Sequence, residues 1–570
     1  MATSSASRLS GLLPITVSSR IPKIALDAAP WVAATLCCYG LLNFGPLRAE
    51  FALGGHGFQG VWLAFYLCMY SISGLTLGLL LMSLSRFLVC CVGLIFLVTG
   101  LTNQMAVDLL DLKILNKETA DWLLSESAVA GAAIGEFLVP ATRHLAISIG
   151  LLLPLICVVR LARKRLRLYL WYPVPLALTA LIAYGLCGLI LYHYFKPFIP
   201  VESNLVFYAA DLVLRPSPDV PAADLQAVNN PQATKIILLI DETLTYEGFR
   251  AQLQQNWAKW SSVDFGEGVS LGNCSGASNS MLRWGFRSQR MLAGEDPRLA
   301  PTIWSYARKS GYETYLIDGQ RNGSYQNYMR KKEAALIDQY IGVSRGMGTD
   351  KSIAALLHTL VQKPGKMFIY VNKRGNHFPY TNNYPLDQFP GAKTREQQFA
   401  TSVQYSNQEF LDTMLRDVSL TDVLIIYTSD HGERFDGANA PHCNSLPAWQ
   451  EVSVPLLLLT GNRSLAQQAE SAALLLKDRG GHEQIFATLL YAMGYDLHRA
   501  ETIYGSSLLS DSIPQHYFHV SANPIAAEPG KPAVQEFSHF PYRGSLSAQS
   551  PPSRRSKPSD PINDFAHQLH

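Results

Sequence analysis

Four short segments of the sequence carry side chains that can bind a divalent cation or act as nucleophile or acid. They contain Glu242, the turn Cys274–Ser278, the turn Asn376–Pro379, and the pair Asp430–His431, which His442 follows. Carboxylate, imidazole and hydroxyl donors in one mixture suit Zn²⁺, and Mn²⁺ is the less favoured alternative. A hydroxyl bound directly to such an ion loses its proton near neutral pH, so it needs no dedicated base. These residues therefore predict metal-assisted chemistry at a hydroxyl nucleophile.

The turn Cys274–Ser278 contains the candidate nucleophile, Ser275. Ser275 lies just before a helix-like stretch, Ala277–Phe286. The backbone N–H groups at the start of a helix attract anions, so they would face a bound phosphoryl oxygen.

Short apolar strands must position these residues. Lys235–Ile240 precedes Glu242, and Val423–Tyr427 precedes Asp430. Continuous apolar, β-branched runs are typical of strands covered on both faces. Further strands are predicted at Thr314–Ile317, Met367–Val371 and Val454–Leu459. Helical stretches alternate with them, which predicts an α/β domain with a mainly parallel central sheet and helices on both faces. Ligands bind at the carboxyl ends of such strands, where the candidate residues lie.

The amino-terminal part of the chain is strongly apolar. The chain has 570 residues, of which only 16% are charged, and its mean hydropathy is positive. This balance predicts a membrane domain joined to a soluble one. Five stretches have about the 20 residues that span a bilayer: Ala28–Leu47, Val61–Leu84, Phe87–Val107, Val139–Val159 and Pro175–Phe195. The fourth is interrupted by Pro154.

Basic residues set the predicted orientation of these five helices. Arg160, Arg163, Lys164, Arg165 and Arg167 crowd the connection between the fourth and fifth helices, and Arg86 lies between the second and third. Loops rich in Lys and Arg face the cytoplasm, whereas the connection at 108–142 is acidic and belongs outside. An odd number of spans then places everything after Lys196 outside, in the periplasm of a bacterium. We therefore predict a multi-pass protein of the bacterial inner membrane with a periplasmic soluble domain.

The predicted domain boundaries follow from this topology. A cytoplasmic amino terminus occupies 1–23, the transmembrane domain 24–196, a tether 197–232, and the soluble domain 233–544. The last residues, 545–570, are rich in Ser and Pro, which predicts disorder. The soluble half contains no basic tract typical of nucleic-acid binding, so no nucleic-acid partner is expected.

The sequence resembles the alkaline phosphatase and sulfatase superfamily. The resemblance is carried by Glu242, the small-residue turn at Ser275, the pair Asn376–His377, and SDHGE at Ser429–Glu433 with His442 after it. It covers roughly Lys235 to Leu509. Five membrane helices before one exported domain resemble, within that superfamily, the membrane-bound lipid A phosphoethanolamine transferases. The resemblance implies an alkaline-phosphatase-like fold for the exported domain.

The resemblance also implies roles for individual residues. Glu242, Ser275, Asp430 and His431 would ligate one zinc ion, and Ser275 would also be the nucleophile. His377 and His442 would bind the donor phosphate or a second zinc and protonate the leaving oxygen. Ser275 is favoured because its spacing to the following helix is similar to that in sulfatases and alkaline phosphatases. Ser278 is the second choice, since it matches the transferases' threonine if the cysteines are aligned instead.

The sequence departs from the family in three respects. Cys274 is followed by Ser-Gly-Ala-Ser rather than the Cys-x-Pro-Ser-Arg signature of sulfatases, which argues against sulfate-ester hydrolysis. The phosphoethanolamine transferases carry several disulfides in the exported domain, whereas this chain can form one at most, Cys274–Cys443. That bond would flank Ser275 and His442 and brace the site in an oxidising compartment. The third departure is the phenylalanine at 378, where the family has glycine.

The function implied by the resemblance is zinc-dependent transfer of phosphoethanolamine. The donor would be phosphatidylethanolamine, the acceptor lipid A or another surface glycan or lipid, and the intermediate a phosphoserine. Three alternatives stay open: a phosphoglycerol transferase, a phosphodiesterase or sulfatase-like hydrolase on the same fold, and a non-catalytic partner in surface polysaccharide assembly. The sequence defines neither the acceptor, nor the choice of one or two zinc ions, nor the oligomeric state.

Overall fold

The computed structural model describes residues 21–43, 60–85, 87–89, 91–94, 127–165, 173–194, 218–293, 295–320, 327–344, 346–435, 441–444, 447–514, 517–520 and 534–537. The chain divides into two units, with a boundary between Pro216 and Ser217. Several predicted features lie outside the described residues: most of the amino terminus at 1–23, most of the acidic loop at 108–142, the first part of the tether at 197–232, and the tail at 545–570.

The amino-terminal unit contains apolar helices. Its long described helices are α1 (Ile21–Leu42), α2 (Gly60–Ser83), α3 (Ser127–Arg165) and α4 (Pro173–Tyr194). Within the described residues, Ala64–Ser83 and Leu145–Arg165 are long and apolar enough to cross a membrane, and Ala177–Leu191 is a shorter apolar helix. Five spans are therefore not confirmed, and most of the third predicted span lies outside the described residues.

The expected break of the fourth predicted helix at Pro154 is wrong. Helix α3 runs without interruption from Ser127 to Arg165 and includes this proline. A proline removes one backbone hydrogen bond, but an apolar helix tolerates it where neighbouring groups satisfy the freed carbonyl.

Arginines at the end of α3 bind the carboxyl end of α2. Arg163 donates to the carbonyl oxygens of Met82, at 2.6 Å, and Leu84, at 3.1 Å. Arg160 donates to the same Leu84 oxygen at 3.3 Å. These donors satisfy carbonyls that have no partner within the helix. The carboxyl ends of α2 and α3 therefore lie side by side.

Seven strands form the central sheet of the second unit, in the order β2-β7-β6-β1-β5-β3-β4. The strands are β1 (Lys235–Asp241), β2 (Val263–Val269), β3 (Glu313–Asp318), β4 (Gln339–Gly342), β5 (Met367–Asn372), β6 (Val423–Ser429) and β7 (Ser453–Thr460). Only β7 is antiparallel to its neighbours, β6 and β2, so the predicted mainly parallel α/β sheet is confirmed. Ile240 pairs with Asn372 and Thr428, so β1, β5 and β6 end at one level.

Helices cover both faces of this sheet. They are α5 (Tyr246–Gln252), α6 (Gln254–Ala258), α7 (Ser275–Arg283), α8 (Ser288–Leu292), α9 (Ile303–Lys309), α10 (Lys331–Ala334), α11 (Thr349–Gln362), α12 (Arg395–Asn407), α13 (Phe410–Met414), α14 (Trp449–Val452), α15 (Arg463–Leu476), α16 (Glu483–Ala492) and α17 (Leu497–Tyr504). Successive strand residues point to opposite faces. Ile236 and Leu238 accordingly pack with α9, α15 and α16, whereas Ile237 and Leu239 pack with α11 and α12.

Two parts of the chain outside this sheet pack against the domain. Residues 218–232, the described part of the predicted tether, contribute Ala223 and Leu225 to the core. A hairpin of β8 (Tyr517–Val520) and β9 (Val534–Phe537) follows the last helix. The N–H of Val520 donates to the carbonyl of Leu271 at 2.6 Å, which fixes the hairpin beside the turn that precedes α7.

Candidate active site

Two adjacent strand ends bring three potential cation ligands together. Glu242 follows β1, and Asp430 and His431 follow β6, its neighbour in the sheet. One carboxylate oxygen from each acid and one ring nitrogen of His431 all lie within 4.8 Å of one another. All three residues are buried. The structure therefore forms a compact set of oxygen and nitrogen donors at the predicted edge of the sheet.

Ser275 is the first residue of α7 and contacts this set. Its Oγ donates to Glu242 Oε1 at 3.2 Å and lies 3.2 Å from His431 Nε2. The helix begins here because Cys274 is extended, with φ −137° and ψ 141°, and serves as its N-cap. Ser275 is partly exposed, so its hydroxyl is accessible to a substrate.

Ser278 has a different environment. It is fully buried, and its Oγ lies 3.2 Å from Nδ1 of His482. The other ring nitrogen of His482 is 3.0 Å from the hydroxyl of Thr428. Burial lowers the pKa of His482 to about 4, so this histidine is neutral near pH 7. The geometry thus brings Ser275, and not Ser278, into contact with Glu242 and His431.

Surrounding donors fix the two acids. The N–H of Thr243 donates to Asp430 Oδ1 at 3.0 Å, and its hydroxyl donates to Glu242 Oε1 at 3.0 Å. Gln320, which follows β3, donates its side-chain amide to Glu242 Oε2 and to the carbonyl of Lys373. Asp430 Oδ2 is buried with no hydrogen-bond partner among the described residues. One carboxylate oxygen is therefore left facing the donor set unsatisfied.

The tautomer of His431 suits metal binding. Its Nδ1 lies 2.8 Å from the carbonyl oxygen of Gly432, so Nδ1 carries the proton and donates it. The lone pair of Nε2 then faces Ser275. A ring nitrogen held in this way by a backbone carbonyl is the usual arrangement of a ligating histidine.

The electrostatics of the donor set fit a divalent cation. Burial, followed by the negative charge of Asp430, raises the pKa of Glu242 well above its usual range. Burial would also raise the pKa of Asp430, but the neighbouring His431 and hydrogen bonds outweigh it and lower that pKa. Burial lowers the pKa of His431, which favours the neutral ring. A cation would relieve the repulsion between the acids and satisfy Asp430 Oδ2, and these donor types suit Zn²⁺.

His442 lies beside this set. The centroids of its ring and the His431 ring are 4.6 Å apart, and its Nδ1 is 3.5 Å from Glu433 Oε1. Burial would lower the pKa of His442, but the charge of Glu433 outweighs burial and raises it. The second Glu433 oxygen is buried and has no partner among the described residues. The structure thus places a readily protonated histidine next to the candidate ligands.

His377 lies at the same edge of the sheet, in the loop after β5. Its Nδ1 is 2.6 Å from the carbonyl of Phe378, and its own carbonyl accepts from Asn383 at 2.9 Å. The neighbouring Asn376 donates to the Glu242 carbonyl at 3.3 Å, which joins this loop to the ligand set. The contact of His377 with the phosphate stays a prediction.

A disulfide joins Cys274 and Cys443 in the structure, with Cα atoms 4.9 Å apart. The Cys443 N–H donates to the carbonyl of Asn273 at 2.8 Å. The Asn273 side chain in turn donates to Glu451 Oε2 at 2.7 Å. No role was predicted for Asn273, Gln320 or Glu451. Gln320 could have been predicted as a site residue because it follows a predicted strand, at the edge of the sheet where ligands bind. Nothing in the sequence indicated a role for Glu451.

Residues 273–495 match the model of the sulfatase family, which confirms the resemblance to the alkaline phosphatase and sulfatase superfamily. No curated protein matches the chain in sequence.

Similar solved structures include three proteins from different organisms. The integral membrane lipooligosaccharide phosphoethanolamine transferase A (EptA) from Neisseria meningitidis has 14% identity and a TM-score of 0.48, over 85% of this chain and 98% of that one. The periplasmic domain of EcEptC from Escherichia coli, in complex with Zn, has 14% identity and a TM-score of 0.47, over 58% and 100%. The periplasmic domain of the phosphoethanolamine transferase EptC from Campylobacter jejuni has 15% identity and a TM-score of 0.41, over 52% and 98%.

Proposed function

We propose that the chain is a zinc-dependent phosphoethanolamine transferase of the bacterial inner membrane, with Ser275 as nucleophile in a periplasmic domain. The observation that carries the proposal is the position of Ser275 Oγ, 3.2 Å from both Glu242 Oε1 and His431 Nε2. The unpartnered oxygen of Asp430 supports a cation at this point. The choice of phosphoethanolamine rests on the resemblance carried by the motifs and by the amino-terminal apolar helices.

In this proposal Glu242, Asp430, His431 and Ser275 hold the zinc ion. When bound, Zn²⁺ would lower the pKa of the serine hydroxyl and place positive charge beside the phosphoryl oxygens. Ser275 Oγ attacks the phosphorus of phosphatidylethanolamine, a new P–O bond forms, and the P–O bond to diacylglycerol breaks. The N–H groups at the start of α7 lie beside the serine and would face the phosphoryl oxygens.

His442 and His377 are assigned to the phosphate and the leaving oxygen. The raised pKa of His442 suits a proton donor, which would give its proton to the diacylglycerol oxygen as it leaves. Alternatively, the two histidines would bind a second zinc ion. In the second half of the reaction, a hydroxyl of lipid A or another surface glycan or lipid attacks the phosphoserine. His442, which gave its proton to diacylglycerol, takes the proton of the attacking hydroxyl. The P–O bond to Ser275 breaks, and the serine oxygen leaves as the anion with which the reaction began.

The decisive experiment replaces Ser275 by Ala in the full chain, purified in detergent. Wild-type protein incubated with phosphatidylethanolamine labelled in the head group should acquire label on Ser275, which peptide mass spectrometry locates. The variant should acquire none while it still binds zinc through Glu242, Asp430 and His431. Ser352→Ala, at an exposed serine of α11, is the matched control. Full transfer by the Ser275 variant would defeat the assignment.

The same assay separates the alternatives. Label taken from phosphatidylglycerol but not from phosphatidylethanolamine indicates a phosphoglycerol transferase. Released label without a labelled serine or acceptor indicates a phosphodiesterase or other hydrolase. A domain that binds no zinc and takes up no label indicates a non-catalytic partner in surface polysaccharide assembly.

A further inference from the structure

Glu451, in the short helix α14, joins loops that are far apart in the sequence. Its side chain is fully buried. Oε2 accepts from the Asn273 side chain at 2.7 Å and from the Asn444 N–H at 3.3 Å. Oε1 accepts from the Asn444 side chain at 2.9 Å and lies 3.6 Å from an Arg434 nitrogen. The carboxylate therefore has partners on three separate segments.

Each of these segments carries a residue of the candidate active site. Asn273 lies two residues before Ser275, and Asn444 lies two residues after His442. The backbone carbonyl of Glu451 also accepts from the N–H of Gly432 at 2.9 Å, next to His431. Ordinary capping of α14 accounts for one of the carboxylate contacts, the bond from the Ala448 N–H. The remaining contacts have no role within that helix.

The orientation of the Asn273 amide is fixed from the other side. His519 Nε2 lies 3.0 Å from Asn273 Oδ1. The Asn273 nitrogen donates to Glu451 and, at 2.8 Å, to the Asn444 carbonyl, so its oxygen must be the acceptor and His519 the donor. Strand β8 thereby keeps the amide turned toward Glu451. The link between Ser275 and His442 is thus built from oriented, buried hydrogen bonds.

The disulfide joins the same two loops as this polar link. Cys274 lies next to Ser275, and Cys443 lies next to His442. Cys443 also has a left-handed backbone conformation, with φ 64°. A non-glycine residue in this conformation is strained, and it persists only where surrounding contacts hold it. Two connections, one covalent and one polar, therefore hold one pair of loops.

We propose that Glu451 is a positioning residue that holds the Ser275 turn against the His442 loop, in parallel with the Cys274–Cys443 disulfide. Each link substitutes in part for the other, so the loss of both is more severe than the two separate losses combined. The kinetic part of this inference rests on the proposed function, in which Ser275 is the nucleophile. The mechanical part does not depend on it.

Hydrogen exchange tests the mechanical part without any turnover. Four full-length proteins in detergent are compared: wild type, Glu451→Gln, Cys443→Ser and the double variant. Exchange in the peptide that spans 441–444 should rise in each single variant. If the two links were independent, the fold-increase in exchange rate of the double variant would equal the product of the two single fold-increases. We expect an increase at least about fivefold larger than that product, because residues in contact within one network are energetically coupled. A double variant that equals the product would overturn the proposal.

Kinetics test the positioning role. With phosphatidylethanolamine vesicles, Glu451→Gln should lower kcat by about tenfold or more, because a small displacement of reacting groups is costly, while KM and zinc content stay unchanged. Glu470→Gln, at an exposed acid of α15, is the matched control. Unchanged kcat and unchanged exchange in the Glu451 variant would refute the inference. A different result would refute the proposed function alone. In that result the variants show coupled exchange, but the wild-type protein transfers no head group from phosphatidylethanolamine.

Discussion

Replacement of Gln320 by Leu should weaken zinc binding without unfolding the domain. The side-chain amide of Gln320 donates to Glu242 Oε2 and, at 3.2 Å, to the carbonyl of Lys373. Leucine has a similar volume but offers no donor, so the Glu242 oxygen loses a partner inside a buried site.

The expected magnitude follows from the state of Glu242. Its pKa is raised by burial and by Asp430, so the metal-free site disfavours the ionised carboxylate. A cation requires the ionised form, to which a hydrogen bond contributes about 1.5–3 kcal/mol. The bond is therefore stronger in the cation-bound protein than in the free one. Loss of partners that orient metal ligands typically costs about 10–100-fold in affinity, and we expect the zinc Kd to rise within that range.

Chelator competition and calorimetry on the full chain in detergent measure this change. The matched control is Gln404→Leu, at an exposed glutamine of α12. The metal-free protein should stay folded and lose about 1–3 kcal/mol of stability, since two buried acceptors lose their donor. A zinc Kd equal to that of the wild type would refute the inference that Gln320 orients Glu242. It would also count against Glu242 as a zinc ligand.

Three further predictions concern the surroundings of the site. Ser278→Ala should keep transfer and destabilise the domain by about 1 kcal/mol, since it removes one hydrogen bond; loss of the phosphoserine would instead favour the second-choice nucleophile. Gly432→Ala should abolish zinc binding, because a Cβ there would lie 1.9 Å from the Gln450 carbonyl, whereas Gly391→Ala, with no atom within 4 Å, should not. Burial lowers the pKa of His519 from 6.5 to about 4. As the pH falls below 6.5, the unfolded chain binds a proton at His519 before the folded chain does. The free energy of unfolding therefore decreases by about 1.4 kcal/mol per pH unit between pH 6.5 and about 4. His519→Gln should flatten this acid dependence in thermal unfolding scans, and an unchanged slope would contradict it.

The central strands were predictable because they are covered on both faces. Lys235–Ile240 and Val423–Tyr427 are continuous apolar runs, and the structure extends each by only one or two residues. Strand β2 was missed, since it pairs at the edge of the sheet with a register shift between Asp264 and Glu267. Strand β4 has four residues, none of them buried. Edge strands carry little of the apolar signal on which sequence interpretation depends.

The candidate ligands were predictable from strand ends, but their partners were not. Glu242, Asp430 and His431 follow strands that the apolar pattern identifies. Ser275 and Ser278 are three residues apart on one helix, so only the observed start of α7 decides which hydroxyl faces the ligands. The role of Glu451 depends on long-range folding of loops, which local sequence does not encode. The antiparallel direction of β7 is likewise a property of the whole sheet.

The wide spacing of the donors along the chain bears on how the protein would obtain its metal. Ser275 is 33 residues from Glu242 and 156 residues from His431. An unfolded chain therefore presents the adjacent Asp430 and His431 far from Glu242 and Ser275, and such a partial ligand set competes poorly for ions. A complete ligand set arises only once β1 and β6 are paired. Metal loading would then reflect the ion supply of the compartment where this sheet closes, and not that of the compartment where the chain is synthesised.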